Sequence, residues 1–122
     1  MKTARYFKDA EFKRCTPSCS IEDMDQSTLD MLDRLREKTG IPLKLNCAYR
    51  SKAHDIKMGR SGNSSHTKGK GVDIACNASD TRFKILSAAY ALGIRRIGIG
   101  KTFIHIDNDT SLPQDVVWHY YN

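Results

Sequence analysis

The sequence predicts an α+β domain in which a small antiparallel sheet is flanked by helices. Two segments place apolar side chains at the spacing of an amphipathic helix, and several short segments alternate apolar and polar residues as half-buried strands do. The chain has 122 residues, 39% of them hydrophobic, which is enough for one core and too few for two. We therefore expect a single domain over 1–122, with its sheet covered by helices.

The first part of the chain is predicted to hold an irregular arm and a helix. Residues 1–20 are expected to form the arm, which Phe7 and Phe12 would hold to the domain. The run Ser-Thr-Leu-Asp at 27–30 resembles a capping box and predicts the start of the helix, and Gly40 is expected to end it. The apolar stripe of this helix consists of Leu29, Leu32 and Leu35.

The remaining elements are short strands and two further helices. Ser51 is expected to cap a short helix over 51–58, and Ser79 to start a longer one. One stripe of that longer helix carries Phe83, Leu86 and Tyr90. Alternation predicts strands at 43–47, 72–75, 97–99, 104–106 and 116–120, with a hairpin turn at Gly100-Lys101.

The charge of the chain suits an anionic partner. A net charge of +6, from 20 basic and 14 acidic residues, favours nucleic acid, a membrane surface or an anionic wall polymer, or else a simple solvated surface. The basic residues are scattered and do not interleave with aromatics, so we expect no nucleic acid as partner. No apolar run approaches the length of a membrane span, and Met1 to Lys8 lack the apolar stretch of a signal peptide. We therefore expect no membrane span, and cytoplasmic synthesis or processing from a longer chain.

Four cysteines are present, and their spacing does not indicate a structural zinc site. Cys15 and Cys19 could form one short knuckle, but Cys47 and Cys76 stand far apart along the chain. Without an export signal, buried thiols are expected rather than disulfides. All four cysteines are therefore expected to be dispensable for metal binding.

Two segments carry the residues that indicate chemistry. His66 precedes Asp73 by seven residues across a glycine-rich turn, and His105 lies within an alternating strand. Because strand side chains repeat every two residues, His105 shares a face with Asp107, and Asp73 likewise faces away from its apolar neighbours. Two imidazoles and one carboxylate are the protein ligands of a catalytic zinc. A single histidine on a strand is more often a hydrogen-bonded structural residue, so the surrounding motifs decide.

Those motifs resemble the zinc D-Ala-D-Ala carboxypeptidase family, in particular its short phage and bacterial branch of wall peptidases. The family pattern S-x-H-x-x-G-x-A-x-D is matched by Ser64, His66, Gly69 and Asp73, with Gly71 in place of the usual alanine. Further matches are the segment Ala48-Tyr49-Arg50-Ser51-Lys52-Ala53-His54, the strand Ile104-His105-Ile106-Asp107, and an aromatic tail with Trp118 and Tyr120.

The resemblance implies a hedgehog/DD-peptidase-like fold and a peptidase acting on the peptide stems of peptidoglycan. It implies one Zn²⁺ per chain, bound by His66, Asp73 and His105. Arg50 would hold a carboxylate or carbonyl of the substrate, or else form a structural salt bridge, and Ser64 would orient the His66 loop or touch substrate. The bond cleaved could be a terminal D-Ala-D-Ala link, as in a carboxypeptidase, or an internal link, as in an endopeptidase or endolysin. We expect a monomer acting on the cell wall, as a phage or prophage lysis protein does.

One departure concerns the general base. Several branches of the family carry a carboxylate three residues before the last zinc histidine, where this chain has Thr102. Asp107 is the first substitute, unless it orients a ligand instead, and His119 and His54 are the others. Two rival functions stay open: a weakly active or inactive wall-binding module of the same fold, and, more remotely, a basic nucleic-acid-binding domain.

Overall fold

The computed structural model describes residues 2–13 and 19–121, in which a five-stranded sheet is combined with three α-helices. The helices are α1 (Gln26–Thr39), α2 (Lys52–Lys57) and α3 (Ser79–Ala91). The strands are β1 (Leu45–Cys47), β2 (Gly71–Ala75), β3 (Arg96–Ile99), β4 (Phe103–Asp107) and β5 (Val116–His119). The strand order is β1-β2-β4-β3-β5, antiparallel except that β5 runs parallel to β3. The predicted α+β class is confirmed.

One face of the sheet forms the hydrophobic core. Ile74 pairs with Ile104, and Val72 with Ile106, and all four side chains are fully buried. The helices α1 and α3 pack against each other over this face. They contribute Leu29, Leu32, Leu35, Ile85 and Ala89 to the core. The opposite side chains on the same strands, beginning with Asp73 and His105, are therefore directed away from the core.

The start of α1 differs from its prediction. Asp25, not Ser27, is the N-cap: its carboxylate accepts hydrogen bonds from the Ser27 amide at 2.9 Å and from Lys70 Nζ at 3.1 Å. The Ser27 hydroxyl and Lys70 together lower the pKa of Asp25 to about 2. A carboxylate at the N-terminus of a helix also interacts favourably with the positive end of the helix dipole. Gly40 ends the helix in the left-handed region, at φ +69°, as predicted.

The aromatic stripe of α3 faces solvent. Phe83 is 72% exposed and Tyr90 57% exposed, whereas the buried positions of the helix are Ile85, Ala88 and Ala89. The short side chains of Ala88 and Ala89 allow close packing beside Ile85, and the two aromatic residues lie outside the core. At the other predicted helix, Ser51 caps α2 through a hydrogen bond from the His54 amide.

The N-terminal arm is only partly described. Phe7 and Phe12 are both buried, and a 3₁₀ turn spans Asp9–Phe12. Residues 14–18, and with them Cys15, lie outside the described part. Cys19, Cys47 and Cys76 are present as thiols. Among the described residues, no helix is long and apolar enough to cross a membrane.

Candidate active site

A row of side chains crosses the sheet on the face opposite the core. The strand register aligns Cys47 on β1 with Asp73 on β2, and Asp73 with His105 on β4. The same row continues through Gly98 on β3 to Trp118 on β5. Aligned residues of neighbouring strands place their side chains side by side. The row therefore assembles the two expected strand residues, Asp73 and His105, together with a cysteine.

An irregularity in β1 brings Cys47 into this row. Leu45 pairs with Ile74, but Cys47 pairs with Asp73, so the register shifts by one residue between them. Strict alternation would have kept Cys47 on the core side with Leu45, as the sequence pattern predicted. A shift of one residue moves a side chain to the other face of a sheet. Cys47, which the alternation grouped with Leu43 and Leu45, therefore lies beside Asp73 instead.

His66 approaches the row from a 3₁₀ turn over Ser65–Lys68. Its Nδ1 donates to the carbonyl of Ala48 at 2.7 Å, and its backbone carbonyl accepts from the Arg50 amide at 3.1 Å. Its Nε2 lies 3.4 Å from Oδ1 of Asp73. One ring nitrogen is thus anchored to the backbone, and the other is directed at the carboxylate, which is how metal-binding histidines are usually oriented.

The electrostatics of this cluster favour a positive charge. Burial of the His66 ring opposes protonation, but the Asp73 carboxylate and the Cys47 sulfur outweigh burial and raise the pKa of His66 to about 10. For Asp73 burial acts in the opposite direction and raises the pKa. The His105 and His66 rings outweigh burial and lower the pKa of Asp73 well below its usual value. The same surroundings that favour a proton on His66 would favour a divalent cation.

The donor atoms converge closely enough to bind one metal ion. Cys47, His66 and Asp73 each offer one ligand atom, and these atoms lie within 4.8 Å of one another. Nδ1 of His105 lies 3.0 Å from the same Oδ1 of Asp73. Sulfur, imidazole nitrogen and carboxylate oxygen are all zinc ligands. The donor atoms of these residues are therefore of the types that zinc binds in proteins, and the residues fit a zinc ion.

His66, Asp73 and His105 line a cavity of about 420 Å³. Three guanidinium groups contribute to its wall, from Arg50, Arg60 and Arg96. Three aromatic side chains, Phe103, Trp118 and Tyr120, form another part of it. The Trp118 ring lies 5.5 Å from the His105 ring, and the Arg96 guanidinium lies 4.8 Å from the Trp118 ring. The cavity thus combines side chains of metal-ligand type with three arginines, of which Arg50 and Arg96 are ion-paired with buried aspartates.

Comparison with protein-family models identifies the family. A model described as Peptidase M15 matches residues 5–107, which include every residue of the donor cluster. The chain belongs to the peptidase M15 family. Peptidases of this family are zinc-dependent and resemble D-Ala-D-Ala carboxypeptidases, so this M15 chain is assigned to the zinc metallopeptidases. A comparison with curated proteins gave no significant match.

In this M15 domain, Asp55 holds the arginine and the loop that border the cavity. Asp55 is fully buried; it accepts from Arg50 Nη1 at 2.8 Å, from Ser64 Oγ at 2.9 Å and from the Gly62 amide at 2.9 Å. Arg50 therefore forms the salt bridge considered as its structural role while it also lines the cavity. The Ser64 hydroxyl orients the loop before His66. No sequence signal distinguished Asp55, because its importance comes from three partners that only the fold brings together.

Asp107 lies behind His105 rather than in the cavity wall. Its Oδ2 is 2.7 Å from His105 Nε2, and its Oδ1 accepts from Arg96 Nε at 2.7 Å and from the Asp109 amide at 3.1 Å. Burial raises the pKa of Asp107, but the His105 ring, the Asp109 amide and Arg96 outweigh it and hold the pKa below its usual value. Both oxygens of this carboxylate are therefore occupied within the protein. This geometry favours the alternative in which Asp107 orients a ligand.

Thr102, which stands where several relatives have a carboxylate, is exposed in the turn between β3 and β4, and the two histidine candidates for the base lie elsewhere. His54 lies on α2 and does not belong to the described residues that line the cavity. His119 does line it; its Nδ1 accepts from the Tyr121 amide at 3.2 Å. Of the three, only His119 is in contact with the space where a substrate would lie.

Two glycines allow the side chains of the site to approach each other. A Cβ on Gly98 would lie 2.7 Å from Trp118 Nε1, so glycine lets the indole lie across β3 toward His105. A Cβ on Gly71 would overlap Ser65 Oγ and lie 3.0 Å from Cε1 of His105. The buried Ser65 hydroxyl is 3.4 Å from His105 Nε2, and this serine was missed in the sequence. Gly71, which replaces the alanine of the family pattern, makes room for Ser65.

Proposed function

We propose that this M15 peptidase hydrolyses amide bonds in the peptide stems of peptidoglycan, with one zinc ion per chain bound by His66, Asp73 and His105. The observation that carries the proposal is the convergence of these three donors at the wall of a cavity that also contains three arginines. The donors make the chemistry of a metallopeptidase possible, and the arginines select an anionic substrate. The action on the cell wall, by a phage or prophage lysis protein, belongs to the same proposal.

The protein groups around the metal would keep its ligands in the correct protonation state. The Ala48 carbonyl holds the proton of His66 on Nδ1, which leaves Nε2 for the metal. Asp107 holds a proton of His105 on Nε2, which leaves Nδ1 for the metal. Zinc, when bound, supplies a Lewis acid and lowers the pKa of a bound water toward neutrality. Both histidines then serve as neutral ligands with opposite ring nitrogens.

Peptide stems of peptidoglycan carry carboxylates, which suit the basic wall of the cavity. Arg50 would bind such a group: Nη1 is held by Asp55, Nη2 donates to Cys47 Sγ at 3.4 Å, and the buried Nε has no hydrogen-bond partner among the described residues. A buried donor without a partner is costly, and a substrate oxygen would satisfy it. Arg60 and Arg96 lie in the same wall and extend the positive surface.

Proton transfer is assigned to His119 rather than to Asp107. Both oxygens of Asp107 accept hydrogen bonds within the protein, whereas His119 is exposed and lines the cavity. To accept a proton at Nδ1, His119 would release the Tyr121 amide, which belongs to the exposed C-terminal segment. The local cost of that movement is one solvent-accessible hydrogen bond, about 1 kcal/mol.

A second candidate function is a wall-binding module of the same fold. It is favoured by the composition of the cavity wall, since Asp73 is the one carboxylate among the described residues that line it. A protein without an effective base would still bind zinc and peptide stems but would turn over slowly. The experiment below separates the two.

The test combines metal analysis with mass spectrometry of purified muropeptides. Zinc-loaded protein is expected to contain one zinc per chain and to release products from muropeptides, with His66→Ala losing both properties. Release of a single alanine would indicate a carboxypeptidase, and cleavage within the stem an endopeptidase. Intact muropeptides that nevertheless co-purify with the zinc protein would support the binding module. Equal zinc in wild type and His66→Ala would contradict the proposed centre.

A further inference from the structure

We propose that Cys47 is an additional ligand of the same metal ion, so that the centre binds it through sulfur as well as nitrogen and oxygen. This inference rests on the proposed metal centre and extends its ligand set to four protein donors, so that a bound water would be a fifth ligand. Neither the family pattern nor the spacing of the cysteines assigns this role. The position of Cys47 in three dimensions does.

The geometry satisfies what a shared ion requires. The sulfur of Cys47 belongs to the donor group whose atoms all lie within 4.8 Å of one another, with His66 and Asp73 as the other two members. Cys47 is aligned with Asp73 across the β1–β2 pair, so both side chains leave the sheet on the same face. A regular strand would have turned this cysteine toward the core. The register shift in β1 is thus what adds sulfur to the site.

The surroundings of Cys47 are suited to a metal-bound thiolate. Arg50 Nη2 donates to Sγ at 3.4 Å, and Nη1 of the same guanidinium is fixed by the buried Asp55. Cys47 would bind the metal as a thiolate, with its S–H proton lost to solvent and a sulfur lone pair given to the metal. The fixed guanidinium is a hydrogen-bond donor that the thiolate retains after that proton has left.

Zinc K-edge X-ray absorption of the full-length protein tests the inference directly, because it reports the ligand atoms and not the catalytic activity. We expect one sulfur at about 2.3 Å beside nitrogen and oxygen at about 2.0–2.2 Å in the wild type. Cys47→Ser should lose the sulfur contribution. Cys76→Ser is the matched control: this thiol is buried, and it contacts the carbonyl of Ala78 rather than the cluster. The control should keep the wild-type spectrum.

Competition with a chromophoric chelator gives a second, independent readout. Cys47→Ser should bind zinc at least about tenfold more weakly than the wild type and the Cys76→Ser control, because one ligand is lost. If the wild type binds zinc without a sulfur ligand, Cys47 is not a ligand and the proposed function still stands. Unchanged zinc affinity in Cys47→Ser would lead to the same conclusion. A wild type that binds no zinc would overturn both. If Cys47→Ser does not fold, the wild-type spectrum decides by itself.

Discussion

Replacing Asp107 by asparagine tests whether Asp107 orients His105 for the proposed metal ion. The carboxylate is 1% exposed and serves three donors: Arg96 Nε and the Asp109 amide at one oxygen, and His105 Nε2 at the other. Asparagine offers an oxygen on one side only and an N–H on the other. If the oxygen stays with Arg96, the amide N–H faces His105 Nε2, which must then carry a lone pair. The proton of the neutral ring moves to Nδ1, the nitrogen that faces Asp73.

The expected magnitude follows from the contacts that are changed. A ring protonated on Nδ1 cannot offer that nitrogen to the metal, so zinc affinity should fall by about 10–100-fold, the usual effect of removing a group that orients a ligand. That loss corresponds to about 1.4–2.7 kcal/mol. The mismatched buried hydrogen bond should also reduce the free energy of unfolding by about 1–3 kcal/mol. For a domain of this size, Tm should fall by about 3–15 °C.

Zinc affinity by chelator competition and the tautomer of His105 by ¹⁵N NMR are the two measurements. Asp109→Asn is the matched control: Asp109 is equally buried, but its carboxylate binds Lys68 and Ser111, so this variant should lose stability and keep zinc affinity. The reasoning fails if Asp107→Asn binds zinc as tightly as the wild type. A rate loss of about 10²–10⁴-fold with unchanged zinc affinity would instead identify Asp107 as the general base.

Three further outcomes are expected. Arg50→Lys should keep zinc and the fold but lose most activity on muropeptides, because an ammonium cannot replace the planar guanidinium; full activity would leave Arg50 a purely structural role. Gly71→Ala should lower the free energy of unfolding by about 1–3 kcal/mol through overlap with Ser65, and the added change Ser65→Gly should restore much of the loss; calorimetry that shows no such recovery would contradict the contact. The carboxyl of Asp25 has a pKa of about 2 in the folded protein, below its ordinary 3.8, so its stabilisation is present above about pH 4 and is lost as the pH falls toward 2. Since this side chain is 36% exposed, the effect should be about 1 kcal/mol, measured as the difference between wild type and Asp25→Asn in urea unfolding at about pH 6, and that difference should shrink toward about pH 2.

The sequence by itself determined most of the elements of this protein and the face on which Asp73 and His105 lie. Alternation along β2 and β4 placed Asp73 and His105 on the face opposite the isoleucines, and the strand register aligns them. This succeeded because the period of two is a local property of an extended chain and can be followed without knowing what the strand pairs with. The end of α1 at Gly40 and the capping of α2 by Ser51 were predictable for the same reason, since both depend on neighbouring residues alone.

Tertiary structure decided the features that depend on a partner distant in sequence. The side on which Cys47 lies is set by the shifted pairing of β1 with β2, which overrides the local alternation. The contacts of Asp107 depend on Arg96, which reaches it from the neighbouring strand, and the exposure of Phe83 depends on which side of α3 fits against α1. A period along the chain predicts which residues share a face. Which face is buried, and which charged side chains form ion pairs, depends on contacts that exist only once the elements have packed.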